Sequence, residues 1–194
     1  YADVLMLSVL SDAETVGIYF AAARTLALAG FIAYAMTLVA GPRFALDLAR
    51  GSRAELQESI LASSRLTFWA TLAAVAVTLI AGPVLLAAFG PQFTQGGEVM
   101  LVLGLGLVVR AAAGQAGEML IVSGRQREGI LIGLVVLSTQ IVAGLILIPT
   151  LGITGAAWAS ALAMACRTVA LSVVLRRVEG LRIVALGWPR LQAA

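Results

Sequence analysis

The chain has 194 residues, of which 61% are hydrophobic and only 12% are charged, and its formal net charge is +3. Soluble domains contain about 45–50% apolar and about 25% charged residues. The composition therefore excludes an ordinary soluble domain and predicts that a lipid bilayer surrounds most of the chain. Basic loops are expected in membrane proteins, so the positive charge does not indicate nucleic acid, which is not predicted as a partner.

The apolar segments, taken in chain order, predict an all-α, polytopic transmembrane helix bundle. Residues 1–10 are about half of the roughly 20 residues that a span needs, so they are expected to be the end of a helix that begins upstream, and the chain is expected to be a fragment. Gly- and Pro-rich joints such as FGPQFTQGG and PTLGITG separate the later segments. The fold class is thus five full spans plus the end of a sixth, the five being about 16–41, 67–89, 98–123, 129–148 and 155–175.

The linker at 42–66 is longer than the other joints. Ser52 and Glu55 form the pattern of a capping box, which marks the start of a helix, and Leu56, Ile60 and Leu61 share one face. This pattern predicts a short amphipathic helix at the membrane surface. A plain extension of the next span is the alternative.

The arginines predict the orientation of the chain in the membrane. The alternate linkers 42–66, 123–129 and 176–194 contain ten arginines, whereas 11–15, 90–97 and 149–154 contain none. Because basic loops stay on the cytoplasmic side, the first set is predicted to be cytoplasmic. The C-terminal tail, residues 181–194, is then cytoplasmic too.

Three arginines lie inside predicted spans: Arg24, Arg110 and Arg167. A charge at the bilayer centre costs about 2.5–3.5 kcal/mol, so these side chains are expected to face a cavity inside the bundle. Arginine binds phosphate with two hydrogen bonds and stays charged when desolvated, so they are predicted to bind an anionic substrate. The alternatives are that Arg24 extends to the membrane interface, and that the other two pair with buried acids and only stabilise the bundle.

Further polar residues inside the spans are candidates for the cavity or for helix packing: Asp3, Glu118 and Gln140. In the predicted 98–123 helix, Arg110, Gly114, Gly117 and Glu118 are spaced to fall on one stripe. The glycines there would permit close packing or leave room for a ligand. Gln140 follows Ser138 and Thr139, and such mid-membrane polar groups are expected chiefly to form hydrogen bonds between helices.

The sequence lacks the patterns of an enzyme site. It has no histidine, no loop with a useful carboxylate pair and no serine in a nucleophile-elbow pattern. The glycines of GLGLVVRAAAG lie inside an apolar segment rather than between a strand and a helix, so they do not indicate a phosphate loop. No enzymatic activity, catalytic residue, metal site or cofactor is predicted.

Five stretches together resemble the C-terminal half of bacterial polysaccharide flippases, which belong to the oligosaccharidyl-lipid and polysaccharide exporter superfamily. The first is ADVLMLSVLSDAETVGIYFAAARTLAL, in which an Asp is followed by apolar residues and then by the pattern VGxYxxAxR. The others are AGPRFALDLARGSRAEL, LLAAFGPQF, LGLGLVVRAAAGQAGEMLIVSG and LILIPTLGITGAAWASAL. The resemblance runs from residue 2 to about residue 180. Gln140 and Gly144 depart from it, since the family often has Asn there, and the family is frequently neutral near Arg110. The matching positions are Asp3, Val16, Gly17, Tyr19, Ala22, Arg24, Pro42, Phe89, Gly90, Phe93, Gly124, Ile148, Pro149, Gly152, Gly155, Ala156 and Ala157.

The resemblance implies one lobe, residues 1–180, of a two-lobed transporter whose N-terminal lobe is missing from this chain. Such proteins move polyprenyl-pyrophosphate-linked oligosaccharides across the bacterial inner membrane, as in O-antigen export. The expected partners are the lipid bilayer, the lipid-linked oligosaccharide and the missing N-terminal lobe. Two alternatives stay open: a cation-coupled multidrug exporter of the same superfamily, in which buried acids should outnumber arginines, and a membrane subunit with no transport role.

Overall fold

The computed structural model describes residues 2–51 and 53–179 and consists of helices and short turns, with no strand within those ranges. The prediction of an all-α chain is confirmed. One 3-10 helix, Pro91–Gly96, precedes the fourth α-helix. The α-helices are α1 (Ala2–Leu10), α2 (Ala13–Arg50), α3 (Arg53–Ala87), α4 (Gly97–Ala112), α5 (Ala116–Val122) and α6 (Gln126–Glu179).

Four helical stretches are long and apolar enough to cross a membrane within the part of the chain that the structure describes. These stretches support the prediction of a membrane protein, but their number, four, differs from the five full spans that the sequence predicts. The last two predicted spans are both contained in α6, which accounts for the difference. The four stretches are Ala13–Arg50, Ala54–Ala87, Pro91–Ala112 and Gln126–Arg177.

Helix α6 folds back on itself at Gly152. Its φ of 58° and ψ of −132° are not helical, and only glycine adopts such a conformation without strain. Residues on either side of this point meet: Gln140 Nε2 donates to Ser160 Oγ at 3.2 Å, and Thr139 Oγ1 donates to Cys166 Sγ at 3.6 Å. Helix α6 therefore consists of two arms packed side by side, and its reversal lies in the predicted joint PTLGITG.

The start and end of α2 follow local rules. Asp12 caps the helix by accepting hydrogen bonds from the Thr15 backbone N–H at 3.2 Å and from Thr15 Oγ1 at 2.7 Å. These bonds lower the pKa of the exposed Asp12 carboxyl. Gly51 ends the helix with a φ of 72°. At about 1.5 Å per residue, the 38 residues of α2 extend about 57 Å, well beyond a bilayer core of about 30 Å.

The predicted amphipathic helix in the 42–66 linker is not a separate element. Helix α2 continues through Pro42 to Arg50, and α3 runs without interruption from residue 53 into the predicted second span. Leu56 and Ile60 are buried in an apolar cluster with residues of α2, α5 and α6, so this part of α3 packs inside the bundle. The alternative, an extension of the next span, is what the structure has. Ser52 of the predicted capping box and the tail 181–194 lie outside the described residues.

Two apolar clusters hold the helices together. The first contains residues of α1, α2, α3, α4 and the part of α6 near its turn, among them Tyr19, Val75, Met100 and Ala157. The second joins α2, α3, α5 and both arms of α6, and it includes Phe44, Ile60, Met119, Ile132 and Leu175. Polar residues of α2, α3, α4 and α6 occupy the region between the two clusters, and the candidate site lies there.

Candidate functional site

Arg110 and Arg167 come together between the two apolar clusters. Arg110 is in the last turn of α4, and Arg167 is on the second arm of α6. The two helices are joined beside them by Thr168 Oγ1, which donates to the Val109 carbonyl at 3.1 Å. Both side chains line the same two spaces, so an anion bound between them would interact with two positive charges at once.

Neither guanidinium pairs with an acid among the side chains that the structure describes. Within residues 2–51 and 54–177, no carboxylate forms an ion pair or a hydrogen bond with Arg110 or Arg167. Both side chains are exposed. The alternative in which these arginines only stabilise the bundle through buried acids therefore has no partner acid in the described part of the chain.

Two cavities meet at the arginine pair. The first has a volume of about 390 Å³ and is lined by Glu118, Thr37, Gln115 and Gln126 in addition to the arginines. We call it the Glu118 cavity; it extends from the pair past the break between α4 and α5 toward the start of α6. The second has a volume of about 560 Å³ and is lined by Asp3, Gln140 and Ser160 in addition to the arginines. We call it the Asp3 cavity. The residues that line both are Leu107, Arg110, Gly133 and Arg167. The structure thus places five of the six predicted site residues around two cavities that share four lining residues.

Asp3 is held by a polar network that only partly followed from the sequence. Tyr19 Oη donates to Asp3 Oδ2 at 2.6 Å, and Ser160 Oγ donates to the same oxygen at 3.4 Å. Gln140 Nε2 in turn donates to Ser160 Oγ. The network joins α1, α2 and both arms of α6. Tyr19 and Ser160 were not among the predicted site residues, although a tyrosine within an apolar span is itself a signal, because its hydroxyl needs a partner.

A second network fixes the interruption between α4 and α5. Gln115 is buried; its Oε1 accepts from Thr37 Oγ1 at 3.0 Å, and its Nε2 donates to Thr67 Oγ1 at 3.1 Å. Gly114 has a φ of 53°, and a Cβ there would lie 2.1 Å from Ser64 Oγ. Irregular backbone at membrane depth persists only where it is buried in protein or lines a cavity, and this segment does both.

The interruption corrects the predicted stripe of the third span. Residues 98–123 were expected to form one helix, but α4 ends at Ala112 and α5 begins at Ala116. Arg110 and Glu118 therefore belong to different helices, and they share a cavity because the chain turns at Gly114. The sequence signal for the second network is the helical spacing of hydroxyl residues along α3, of which the buried members are Ser59, Ser64, Thr67, Thr71 and Thr78.

Arg24 does not join the arginine pair. Its side chain is exposed on α2, with the guanidinium carbon 4.8 Å from the centre of the Phe20 ring, a cation–π contact. It lines neither the Glu118 cavity nor the Asp3 cavity. Arg24 is therefore not grouped with Arg110 and Arg167 at these two cavities, and its predicted role in substrate binding stays a prediction.

The polar residues of the fourth predicted span form hydrogen bonds within their own helix or between the arms of α6. Ser138 Oγ donates to the Leu134 carbonyl of its own helix at 2.9 Å. Thr139 Oγ1 bonds the Val135 carbonyl and contacts Cys166 on the other arm. Of the three, only Gln140 also lines a cavity that contains the arginines.

No family model, no curated protein and no solved structure matches this chain. The charges and the two cavities of the helical bundle therefore provide the basis for assigning a function.

Proposed function

We propose that the chain is one lobe of a flippase that moves a polyprenyl-pyrophosphate-linked oligosaccharide across the bacterial inner membrane. The observation that carries this proposal is the pair Arg110–Arg167, which has no acid partner among the described residues and stands where two cavities meet. An adjacent pair of guanidinium groups is expensive at membrane depth unless an anion binds there. A pyrophosphate offers several oxygens to two such forks.

The two cavities support transport rather than static binding. The anion would occupy the junction at Arg110 and Arg167 while the substrate passes from the Glu118 cavity to the Asp3 cavity. The resemblance to polysaccharide flippases implies a second lobe that closes these spaces from the opposite side. In this proposal each arm of α6 crosses the membrane, so that with α2, α3 and the α4–α5 segment the lobe has five full spans, and α1 is the end of a sixth.

A cation-coupled multidrug exporter is the second candidate, because Asp3 and Glu118 each place a carboxylate at a cavity wall. A cationic substrate in either cavity would, however, also meet the arginine pair. Asp3 is moreover already bonded to Tyr19 and Ser160, which leaves it less able to bind a substrate. The arginine pair therefore favours an anionic substrate.

A transport assay distinguishes the two candidates. The full-length protein that contains this chain is reconstituted in liposomes with a fluorescent lipid-linked oligosaccharide, and the fraction that becomes accessible to a membrane-impermeant quencher is measured. We expect the protein to accelerate transfer of the oligosaccharide lipid but not uptake of the cationic dye ethidium. Dye transport without oligosaccharide transfer would replace the proposal with the exporter.

The proposed orientation makes a separate prediction. With Cys166 replaced by serine, single cysteines at Gln95 and Thr150 should react with a membrane-impermeant thiol reagent added to intact cells, whereas one at Gln126 should not. The reason is the absence of arginine near the first two positions and the arginines flanking the third. All three side chains are exposed, so differences in labelling report the side of the membrane. If only the cysteine at position 126 reacted, the chain would have the opposite orientation in the membrane.

A further inference from the structure

Glu118 shares a cavity with the arginine pair, and its carboxylate lies against Gly41 of α2. It lies in the first turn of α5 and is half-buried, and within the described part of the chain it has neither an ion-pair partner nor a hydrogen-bond partner. Its cavity is the one lined by Arg110 and Arg167. A carboxylate without a partner, beside two guanidinium groups without one, is an arrangement that a side-chain rotation can change.

A glycine on α2 provides the space for the observed position of Glu118. A Cβ at Gly41 would lie 2.7 Å from Glu118 Oε1 and 3.4 Å from its Cδ. Any residue with a side chain at position 41 would therefore displace the carboxylate. We call this space the Gly41 notch.

A second glycine, Gly117, lies beside Arg167. Arg167 Nη2 is 3.7 Å from where a Cβ at Gly117 would stand, so the guanidinium lies against the α5 backbone one residue before Glu118. Rotation about the χ angles of Glu118 from one staggered well to another would turn its carboxylate from the notch toward Arg167.

We propose that Glu118 is a movable counter-ion that occupies the Gly41 notch when an anion is bound at Arg110–Arg167 and pairs with Arg167 when the site is empty. This inference rests on the proposed function, because it assigns to Glu118 the regulation of the same anion site. The carboxylate competes with the anion, so it lowers the resting affinity and assists release. It also favours pyrophosphate over monoanions, since a more highly charged ligand displaces a carboxylate more effectively.

Glu118→Gln tests the competition directly. The probes are inorganic pyrophosphate and chloride, and binding to the purified protein in nanodiscs of zwitterionic lipid is measured by calorimetry. A partly exposed ion pair is worth up to about 1 kcal/mol, which corresponds to about five-fold in affinity. We expect Glu118→Gln to bind pyrophosphate about five-fold more tightly than the wild type and to lose part of its preference over chloride.

Gly41→Ala tests the notch. The added methyl group should drive Glu118 toward Arg167 and weaken pyrophosphate binding about five-fold, whereas the double variant Gly41→Ala/Glu118→Gln should bind as tightly as Glu118→Gln alone. Gly97→Ala is the matched control, because nothing lies within 4 Å of a Cβ at that position in α4. It should leave binding unchanged.

The outcomes separate the two proposals. Wild-type protein that binds no pyrophosphate overturns both. Wild-type binding with no tightening in Glu118→Gln overturns the counter-ion alone. The counter-ion proposal is also overturned if Gly41→Ala weakens pyrophosphate binding equally in the wild type and in Glu118→Gln. Such a result would mean that Gly41 acts on binding through helix packing and not through Glu118.

Discussion

For the proposed flippase, replacement of Arg110 by alanine is expected to reduce glycan export to background while the protein stays in the membrane at near-normal abundance. Export is lost because one of the two guanidinium groups at the junction of the cavities is removed. Abundance is retained because Arg110 has no acid partner among the described residues, so its removal strands no buried charge. The measurement is export and membrane abundance in the same cells, which express the full-length protein with or without the substitution.

The companion variants sharpen this expectation. Arg110→Lys should retain part of the activity, because lysine keeps the charge but lacks the planar fork that binds a phosphate group at two oxygens. Arg24→Ala is the matched control, an arginine within another apolar helix that lines neither cavity, and it should export normally. A stranded acid typically costs about 3–5 kcal/mol; a collapse of Arg110→Ala abundance together with activity would therefore indicate a structural ion pair. Normal export by Arg110→Ala would exclude Arg110 from the site.

Replacement of Gly155 by alanine is expected to destabilise the whole lobe. A Cβ at this position would lie 2.1 Å from the carbonyl oxygen of Leu147 and 2.5 Å from its carbonyl carbon. Both atoms are backbone on the opposite arm of α6, so no side-chain rotation relieves the clash, and the arms must separate. Overpacking typically costs about 1–3 kcal/mol, and here separation would also disturb the Gln140–Ser160 bond and, through it, the network of Asp3. We expect lower abundance and a lower midpoint of thermal unfolding.

Gly129→Ala is the control for that experiment. Gly129 lies on the first arm of the same helix, and nothing is within 4 Å of a Cβ there. Alanine is favoured over glycine in a helix by roughly 1 kcal/mol, so this variant should be as stable as the wild type or more so. Wild-type stability of Gly155→Ala would mean that the arms of α6 are not in close contact at the reversal.

Part of the candidate site could be predicted from the sequence, because intramembrane charges are costly wherever they point. The depth of Arg110 and Arg167 in apolar segments is sufficient to predict them, and Asp3 and Glu118 follow from the same principle. Gln140 follows from the need of a buried amide for hydrogen-bond partners. Their grouping could not be predicted, and neither could the exclusion of Arg24. The interruption at Gly114 was hidden as well, since a glycine within an apolar run is compatible with a continuous membrane helix.

The sequence by itself determined the all-helical class, the apolar segments, the joints at Gly and Pro and the asymmetric distribution of arginine, because each depends on local composition over about 20 residues or fewer. Only the tertiary structure decided which side chains meet: Arg110 with Arg167, Asp3 with Tyr19, and Gln115 with two hydroxyls. The physical reason is that a membrane helix can be apolar on every face, because lipid is as apolar as the protein interior. The sequence pattern then does not define which face of each helix points inward, and close packing at positions such as Gly41, Gly114 and Gly155 decides it.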